Sequence, residues 1–175
     1  MEPEHDVGGR KAADRHDVVA VHELILMRHA EALPAAIDAE DFARPLSDAG
    51  RAAATRAAGT LAGEAMIGRL LYSPARRTSE TAAIVAEALS LGASLLQAVP
   101  ELYLATPQRV RAAFARWHGT ARVVLVIGHN PSISEFGAEL APARGPGHLP
   151  TAGYWRLPFD GEAWSALTRI STPQS

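Results

Sequence analysis

The sequence predicts an α/β domain: a three-layer α/β/α sandwich with a mainly parallel central sheet, helices on both faces and a C-terminal hairpin. Three observations carry this. Apolar runs of strand length stand at ELILM (23–27), RLLYS (69–73) and VVLVI (123–127), each followed by a helix-length segment. The runs are largely continuous instead of alternating, as strands buried on both faces require. Strands that alternate with helices are joined by crossovers, which makes the sheet parallel.

The elements follow in order. Residues 1–22 are charged and polar, contain Gly8-Gly9 and lack a periodic apolar face. A flexible N-terminal extension is expected there, with a strand starting as early as Val18. The domain is expected over 23–171 and a short tail over 172–175. The first strand, 23–27, ends in Arg28-His29-Ala30, and a loop over 31–46 carries Pro34, Asp38, Asp41 and Pro45. Ser47 has the chemistry of an N-cap, and Asp48 sits where the helix dipole favours an anion. The alanine-rich run to about Gly63 is then helical. The second strand closes at Ser73-Pro74, and 75–89 forms a helix with Ala82, Val85 and Leu89 on one face. A weaker third strand spans 95–99. Thr106-Pro107 is a cap followed by proline at the first helical position, which starts a helix running to about His118. The β-branched run 123–127 breaks at Gly128-His129-Asn130-Pro131, and a helix follows over 132–140. Beyond a Pro/Gly-rich loop at 142–150, GYWRLPF (153–159), Asp160-Gly161 and WSALTRI (164–170) read as the hairpin. Trp155 and Trp164 then pack across its strands.

Composition excludes several chemistries. The 175 residues amount to one domain, and 47% hydrophobic with 21% charged residues is the balance of a globular protein. The absence of cysteine removes disulfides, thiolate metal sites and cysteine nucleophiles. Lys11 is the single lysine, so an anion site must be built from arginine, histidine or backbone amides. A net charge of −2 gives no whole-chain field for nucleic acid or an anionic membrane. The acidic opening MEPEHD is unlike a secretory signal or a transit peptide. No apolar run approaches the ~20 residues that span a bilayer. A cytoplasmic protein, monomeric by default, is expected. The seven histidines show no HExxH or comparable spacing, so neither metal nor other cofactor is expected.

The chemistry gathers at strand ends. The first strand ends in Arg28-His29, the second in Ser73-Pro74-Ala75-Arg76-Arg77, and the run 123–127 in Gly128-His129-Asn130-Pro131. In open α/β sheets ligands bind beyond the carboxyl ends of the strands. If these strands are neighbours, two histidines and at least two arginines converge there. Arginine forks match phosphate oxygens, histidine can attack phosphorus or carry a proton, and the helices after Ser47, Ser73 and His129 turn their N-termini toward the site. The composite is an anion site, most naturally a phosphoryl site.

RHAEA (28–32), RPLSDAG (44–50), SPARRTSETA (73–82) and GHNPSISEF (128–136) together resemble the histidine phosphatase, or phosphoglycerate mutase-like, superfamily. PELYLATP (100–107) and the short chain are most similar to the SixA-type phosphohistidine phosphatases. The resemblance implies that His29 is the nucleophile that becomes phosphohistidine, and that Arg28 binds the phosphoryl group beside it. Arg77, four residues after Ser73 and four before Thr81, is the second phosphate-binding arginine, in preference to Arg76. His129 is the second histidine, stabilising charge on the phosphoryl oxygens. Larger members use a carboxylate to protonate the leaving oxygen. Glu101 is the candidate here, against a reading as a solvated loop carboxylate, while Glu31 is read as structural. Arg44 either touches the substrate or pairs with Asp38 or Asp41. Thr151 opens the segment that such proteins place near the pocket. His148 is expected at an exposed rim, and His118 at its helix C-terminus, where a cation suits the dipole. His5, His16 and His22 need no role.

Three readings follow. The first is a metal-independent phosphatase that dephosphorylates phosphohistidine on a protein, since the connections leave little material to roof the pocket. The second keeps the chemistry and takes a small phosphomonoester. The third is a non-catalytic phosphoprotein-binding domain, disfavoured by the intact Arg28, His29, Arg77 and His129.

Overall fold

The structure is a computed structural model, describing residues 22–35, 40–144 and 147–159 together with Trp164 and Leu167. Five strands form one sheet: β1 (His22–Arg28), β2 (Arg69–Tyr72), β3 (Leu96–Ala98), β4 (Val123–Gly128) and β5 (Tyr154–Phe159), in the order β3-β2-β4-β1-β5. β1 through β4 are mutually parallel, and β5 runs antiparallel along β1. The four helices are α1 (Asp48–Glu64), α2 (Arg76–Ala88), α3 (Pro107–Trp117) and α4 (Ser132–Leu140).

The order of the strands decides where the helices go. The chain moves outward from β1 to β2 to β3, then returns to β4. Right-handed crossovers in opposite directions lay their helices on opposite faces of a sheet. Accordingly α1 packs with α2 on one face and α3 with α4 on the other. The central strands show the pattern at residue level. Ile25, Met27, Leu125 and Ile127 point into a core with Ala54, Ala58 and Leu61 of α1 and Val85 of α2. Leu24, Leu26, Val124 and Val126 point into the other, with Val110 and Phe114 of α3 and Phe136 of α4. Both faces are covered, which is why these strands read as unbroken apolar runs.

Two helix starts follow the expected cap chemistry. Ser47 Oγ accepts from Gly50 N (2.9 Å), and Thr106 Oγ1 accepts from Arg109 N (3.3 Å) with Pro107 next in the chain. Of the expected hairpin the first arm is described as β5, which pairs antiparallel with β1. The second arm lies outside the described residues except for Trp164 and Leu167, and Leu167 is helical. Trp155 therefore faces Leu26 of β1 and lies against Gly137 of α4, while Trp164 is buried in the α3–α4 core. Of the extension expected over 1–22, His22 opens β1, and residues 1–21, with the strand start expected at Val18, lie outside the described residues, as does the tail 172–175. No helix among the described residues is long and apolar enough to cross a membrane.

Candidate active site

Register brings the strand ends level. Arg28 of β1 pairs with Gly128 of β4, so His29 and His129 are the next residues on adjacent parallel strands. Tyr72 of β2 pairs with Ile127, which puts Ser73 beside Gly128. From β1 the chain leaves toward α1 on one face, and from β4 toward α4 on the other. The crevice between them is the topological switch point, the place where α/β sheets bind ligands. The two imidazoles lie there with ring centroids 5.1 Å apart.

Hydrogen bonds fix the protonation of each ring. His29 Nδ1 lies 2.7 Å from Ala30 O. A carbonyl can only accept, so Nδ1 carries the proton and Nε2 keeps its lone pair. Burial, with help from the charges of Arg77, Arg28 and Arg44, lowers the His29 pKa to about 4, so the ring is neutral at pH 7. His129 is the opposite tautomer. Arg77 Nη2 donates to its Nδ1 (3.3 Å), so Nε2 holds the proton and donates to Ser73 Oγ (2.9 Å). Burial, then the neighbouring His29 and Arg77, pushes the His129 pKa down to about 3.

The arginines are held just as closely. Arg28 Nη1 donates to Leu149 O (3.1 Å), and its Nε is buried without a hydrogen-bond partner among the described residues. Arg77 is 5% exposed; besides His129 it donates through Nη1 to Asp41 O (2.7 Å) and through Nη2 to Asp41 Oδ2 (3.0 Å). Asp41 also accepts from Arg44 Nη1 (3.0 Å) and the Tyr103 hydroxyl (3.1 Å). These bonds, that of Arg44 foremost, hold the Asp41 carboxyl down at about 2. Thr81 joins α2 to the β1 end, donating to Arg77 O (2.7 Å) and accepting from Ala30 N (3.1 Å).

A cavity of about 300 Å³ opens over this cluster, lined by Arg28, His29, Arg44, Arg77, His129 and Thr151 among others. All of the expected site residues but one are therefore brought together. The exception is Glu101, which is a correction. It is exposed on the short 3₁₀ turn Pro100–Leu102, in a separate cavity with Arg109 and Arg116. The turn carries its side chain away from the strand ends. Among the described residues Glu31 is the one carboxylate lining the phosphoryl-site cavity, and its Oε1 accepts from Ser47 Oγ (2.7 Å), which ties it to the α1 cap. Arg44 lines the cavity and pairs with Asp41 (3.0 Å). Arg76 points away and pairs with Glu80 (2.8 Å). His148 is exposed. His118 stands at the C-terminus of α3, where its ring stacks on Phe114 and burial lowers its pKa.

Three contributors carried no signal in the sequence as site residues: Asp41, Tyr103 and Ser73 as the His129 acceptor. Among the described residues no group of three or more His, Asp or Glu side chains could hold a metal ion. With three guanidinium groups against one carboxylate on its wall among the described residues, the cavity suits a multiply charged oxyanion, with an unprotonated imidazole nitrogen as the available nucleophile.

Residues 24–105 match the family model described as the histidine phosphatase superfamily, branch 1. A Nakamurella multipartitia structure named as a phosphohistidine phosphatase SixA is 31% identical, with 85% of this chain and 90% of that one covered and a TM-score of 0.69. An Agrobacterium tumefaciens structure of the same name is 27% identical, with 77% and 90% covered and the same TM-score of 0.69. A protein histidine phosphatase SixA complexed with tungstate is 31% identical, with 74% and 83% covered and a TM-score of 0.66. A mycobacterial glucosyl-3-phosphoglycerate phosphatase, 18% identical over 79% of this chain and 90% of that one, shares the fold at a TM-score of 0.58. No curated protein sequence is a significant match.

Proposed function

The chain belongs to the histidine phosphatase superfamily, and from that premise we propose that it is a phosphohydrolase working through phospho-His29, with phosphohistidine on a protein as its substrate. The observation that carries this reading is the neutral His29 ring, its Nδ1–H tied to Ala30 O and its Nε2 lone pair kept for attack beside three arginines.

Nε2 of His29 attacks phosphorus, and the bond from phosphorus to the leaving nitrogen breaks as the Nε2–P bond forms. Arg28, Arg44 and Arg77 neutralise the transferring oxygens, and electrostatic positioning of this kind supplies most of the catalysis of phosphoryl transfer. His129, oriented by Arg77 and Ser73, lies alongside. The freed imidazole takes up a proton from solvent. Water then attacks phospho-His29, releasing inorganic phosphate and restoring the ring. Imidazole leaves phosphorus more readily than an alkoxide, so the first step needs no strong acid. The wall of the cavity matches that demand: Glu101 lies elsewhere, and Glu31 is occupied by Ser47. The mycobacterial relative that acts on a small phosphorylated molecule supports a second reading, a phosphomonoesterase in which the Glu31 carboxyl serves as the acid.

Steady-state hydrolysis of a phosphohistidine-bearing protein and of a panel of phosphomonoesters, in the presence of EDTA, separates these readings. The expected result is turnover of phosphohistidine that is lost in His29→Ala and retained in Glu101→Gln and Glu31→Gln. Preference for a monoester with dependence on Glu31 would establish the second reading. Activity surviving His29→Ala would overturn the nucleophile assignment.

A further inference from the structure

Asp41 opens the short 3₁₀ turn Asp41–Ala43, which packs against α2. Its carboxylate is not part of the cavity wall formed by the described residues, yet two arginines of that wall bond to it. Oδ1 accepts from Arg44 Nη1 (3.0 Å), and Oδ2 accepts from Arg77 Nη2 (3.0 Å) and the Tyr103 hydroxyl (3.1 Å). The Asp41 carbonyl takes the other terminal nitrogen of Arg77, Nη1 (2.7 Å). One residue thus joins its own loop, α2 and the segment before α3. Tyr103 carries the contact onward, since its ring lies edge-on to His129 at 5.7 Å.

Two physical effects follow from that position. The first is orientation. A guanidinium has five N–H donors in a fixed fork. Arg77 places three of them, two on Asp41 and one on His129 Nδ1, which fixes its plane. Arg44 is held by Asp41 on one side and by Leu33 O (2.7 Å) on the other. The second effect is charge. Arg28, Arg44 and Arg77 share one cavity of about 300 Å³. Asp41 stays ionised beside two of them, its carboxyl held at about 2 by Arg44 foremost. A fixed anion there weakens the pull of the wall on any oxyanion, by Coulomb's law in a partly solvated site.

We propose that Asp41 is a positioning residue that sets Arg77 and Arg44 for phosphoryl transfer and at the same time holds down the affinity of the cavity for inorganic phosphate, the product. This rests on the reading of the site as a phosphohydrolase and adds the group that balances its binding against its turnover. Attraction felt equally by product and transition state does not speed the chemical step. Without Asp41 the guanidinium groups would offer more attraction of that kind and would retain phosphate. The carboxylate reduces it, while its hydrogen bonds keep the forks aimed, and aim is what transfer depends on. Removing the charge therefore separates the two effects: phosphate binds more tightly and transfer slows. Loss of a mere prop for the loop would weaken both.

The test uses Asp41→Asn, which keeps the shape and removes the charge, and Asp41→Glu, which keeps the charge on a longer stem. The Asp41 side chain is 47% exposed, so both changes are accommodated, and thermal melts check that each variant is folded. Calorimetric titration with inorganic phosphate should give a Kd about three- to tenfold lower in Asp41→Asn and within about twofold of wild type in Asp41→Glu. Single-turnover phosphorylation of His29 is followed with free phosphohistidine or phenyl phosphate, whichever the wild type turns over. Its rate should fall about tenfold or more in Asp41→Asn, and Asp41→Glu should recover part of it. Slower transfer with weaker phosphate binding would make Asp41 a prop and overturn the proposal. An unchanged rate, or an unchanged phosphate Kd, in Asp41→Asn would overturn it as well. Wild-type protein inert toward both substrates would remove the phosphohydrolase reading and the proposal with it, before any variant is compared.

Discussion

His29 is pulled to about 4 first by burial, then by the charges of Arg77, Arg28 and Arg44, while its bond to Ala30 O works in the other direction. Two consequences follow at the scale of single residues. Attack requires the neutral ring, so kcat/KM, corrected for substrate ionisation, should stay level from pH 7 to 5 and fall only as pH approaches about 4. An acid limb near the ordinary histidine value of about 6.5 would refute this. Stability obeys the same sign. Both folded-state values, about 4 for His29 and about 3 for His129, lie below the unfolded one. The unfolded chain therefore takes up protons first, and the stability these rings contribute is complete above about pH 6.5 and lost as pH drops toward 4 and 3. Tm should fall across that window, and less steeply in His129→Asn. Ser73 gives the next prediction. It is fully buried and accepts from both His129 Nε2 and Ala75 N. Ser73→Ala leaves a buried N–H without its acceptor, which costs about 1–3 kcal/mol. It also frees the His129 ring beside the nucleophile, so kcat should drop about tenfold, less than the ~10²-fold that misplacing a group in the site can cost. Single-turnover rates and thermal melts of that variant check both parts.

The first turn of α1 is pressed against the loop that carries Glu31. A Cβ on Gly50 would stand 2.1 Å from Glu31 O, a backbone atom that cannot swing aside. Gly59 and Gly63, in the same helix, face open space. The three glycines therefore behave oppositely. Gly50→Ala should destabilise by about 1–3 kcal/mol, as overpacking does, and should lower activity because Ser47 N–H donates to Glu31 O (3.0 Å) at that contact. Gly59→Ala should stabilise by about 0.5–1 kcal/mol, since alanine loses less backbone entropy in a helix. Urea titrations of the two variants would show the contrast, and a Gly50→Ala protein as stable as wild type would disprove the contact. The elements themselves were legible in the sequence for a physical reason: strands covered on both faces have no polar side to interrupt the apolar run, and Ser47 and Thr106 announce their helices by cap chemistry. The pairing of β5 with β1 was not legible, because turn residues alone do not say which strand lies beside it. Asp41 was hidden likewise. It reaches Arg77 across 36 positions from a loop with no periodicity, whereas Arg28, His29 and His129 could be found because strand ends share a level. Glu101 was misplaced since its direction depends on the path of a 3₁₀ turn, which composition does not encode.

Over the whole molecule, the reactive end and the stabilising end lie apart. Every reactive group sits beyond the carboxyl ends of the strands. At the opposite end, Trp164 joins elements distant in the chain. Its ring lies 4.8 Å from Phe114 of α3, 5.1 Å from His22 at the start of β1 and 6.1 Å from Phe159 at the end of β5, and its Nε1–H donates to Ala121 O (2.8 Å) just before β4. It is 4% exposed. Trp164→Ala should cost about 3–5 kcal/mol, the range for emptying an aromatic site. For a domain of this size, at about 2–4 °C per kcal/mol, Tm falls by roughly 6–20 °C. Trp164→Phe keeps most of the apolar area and loses the bond to Ala121 O, about 1 kcal/mol. None of these contacts touches the cavity, so kcat below the melting range should equal that of wild type in both variants. Calorimetry paired with turnover at a temperature where each variant is folded measures the two quantities separately. A fall in kcat that parallels the loss of Tm would show that the two ends are coupled through the sheet and that the division of labour is wrong.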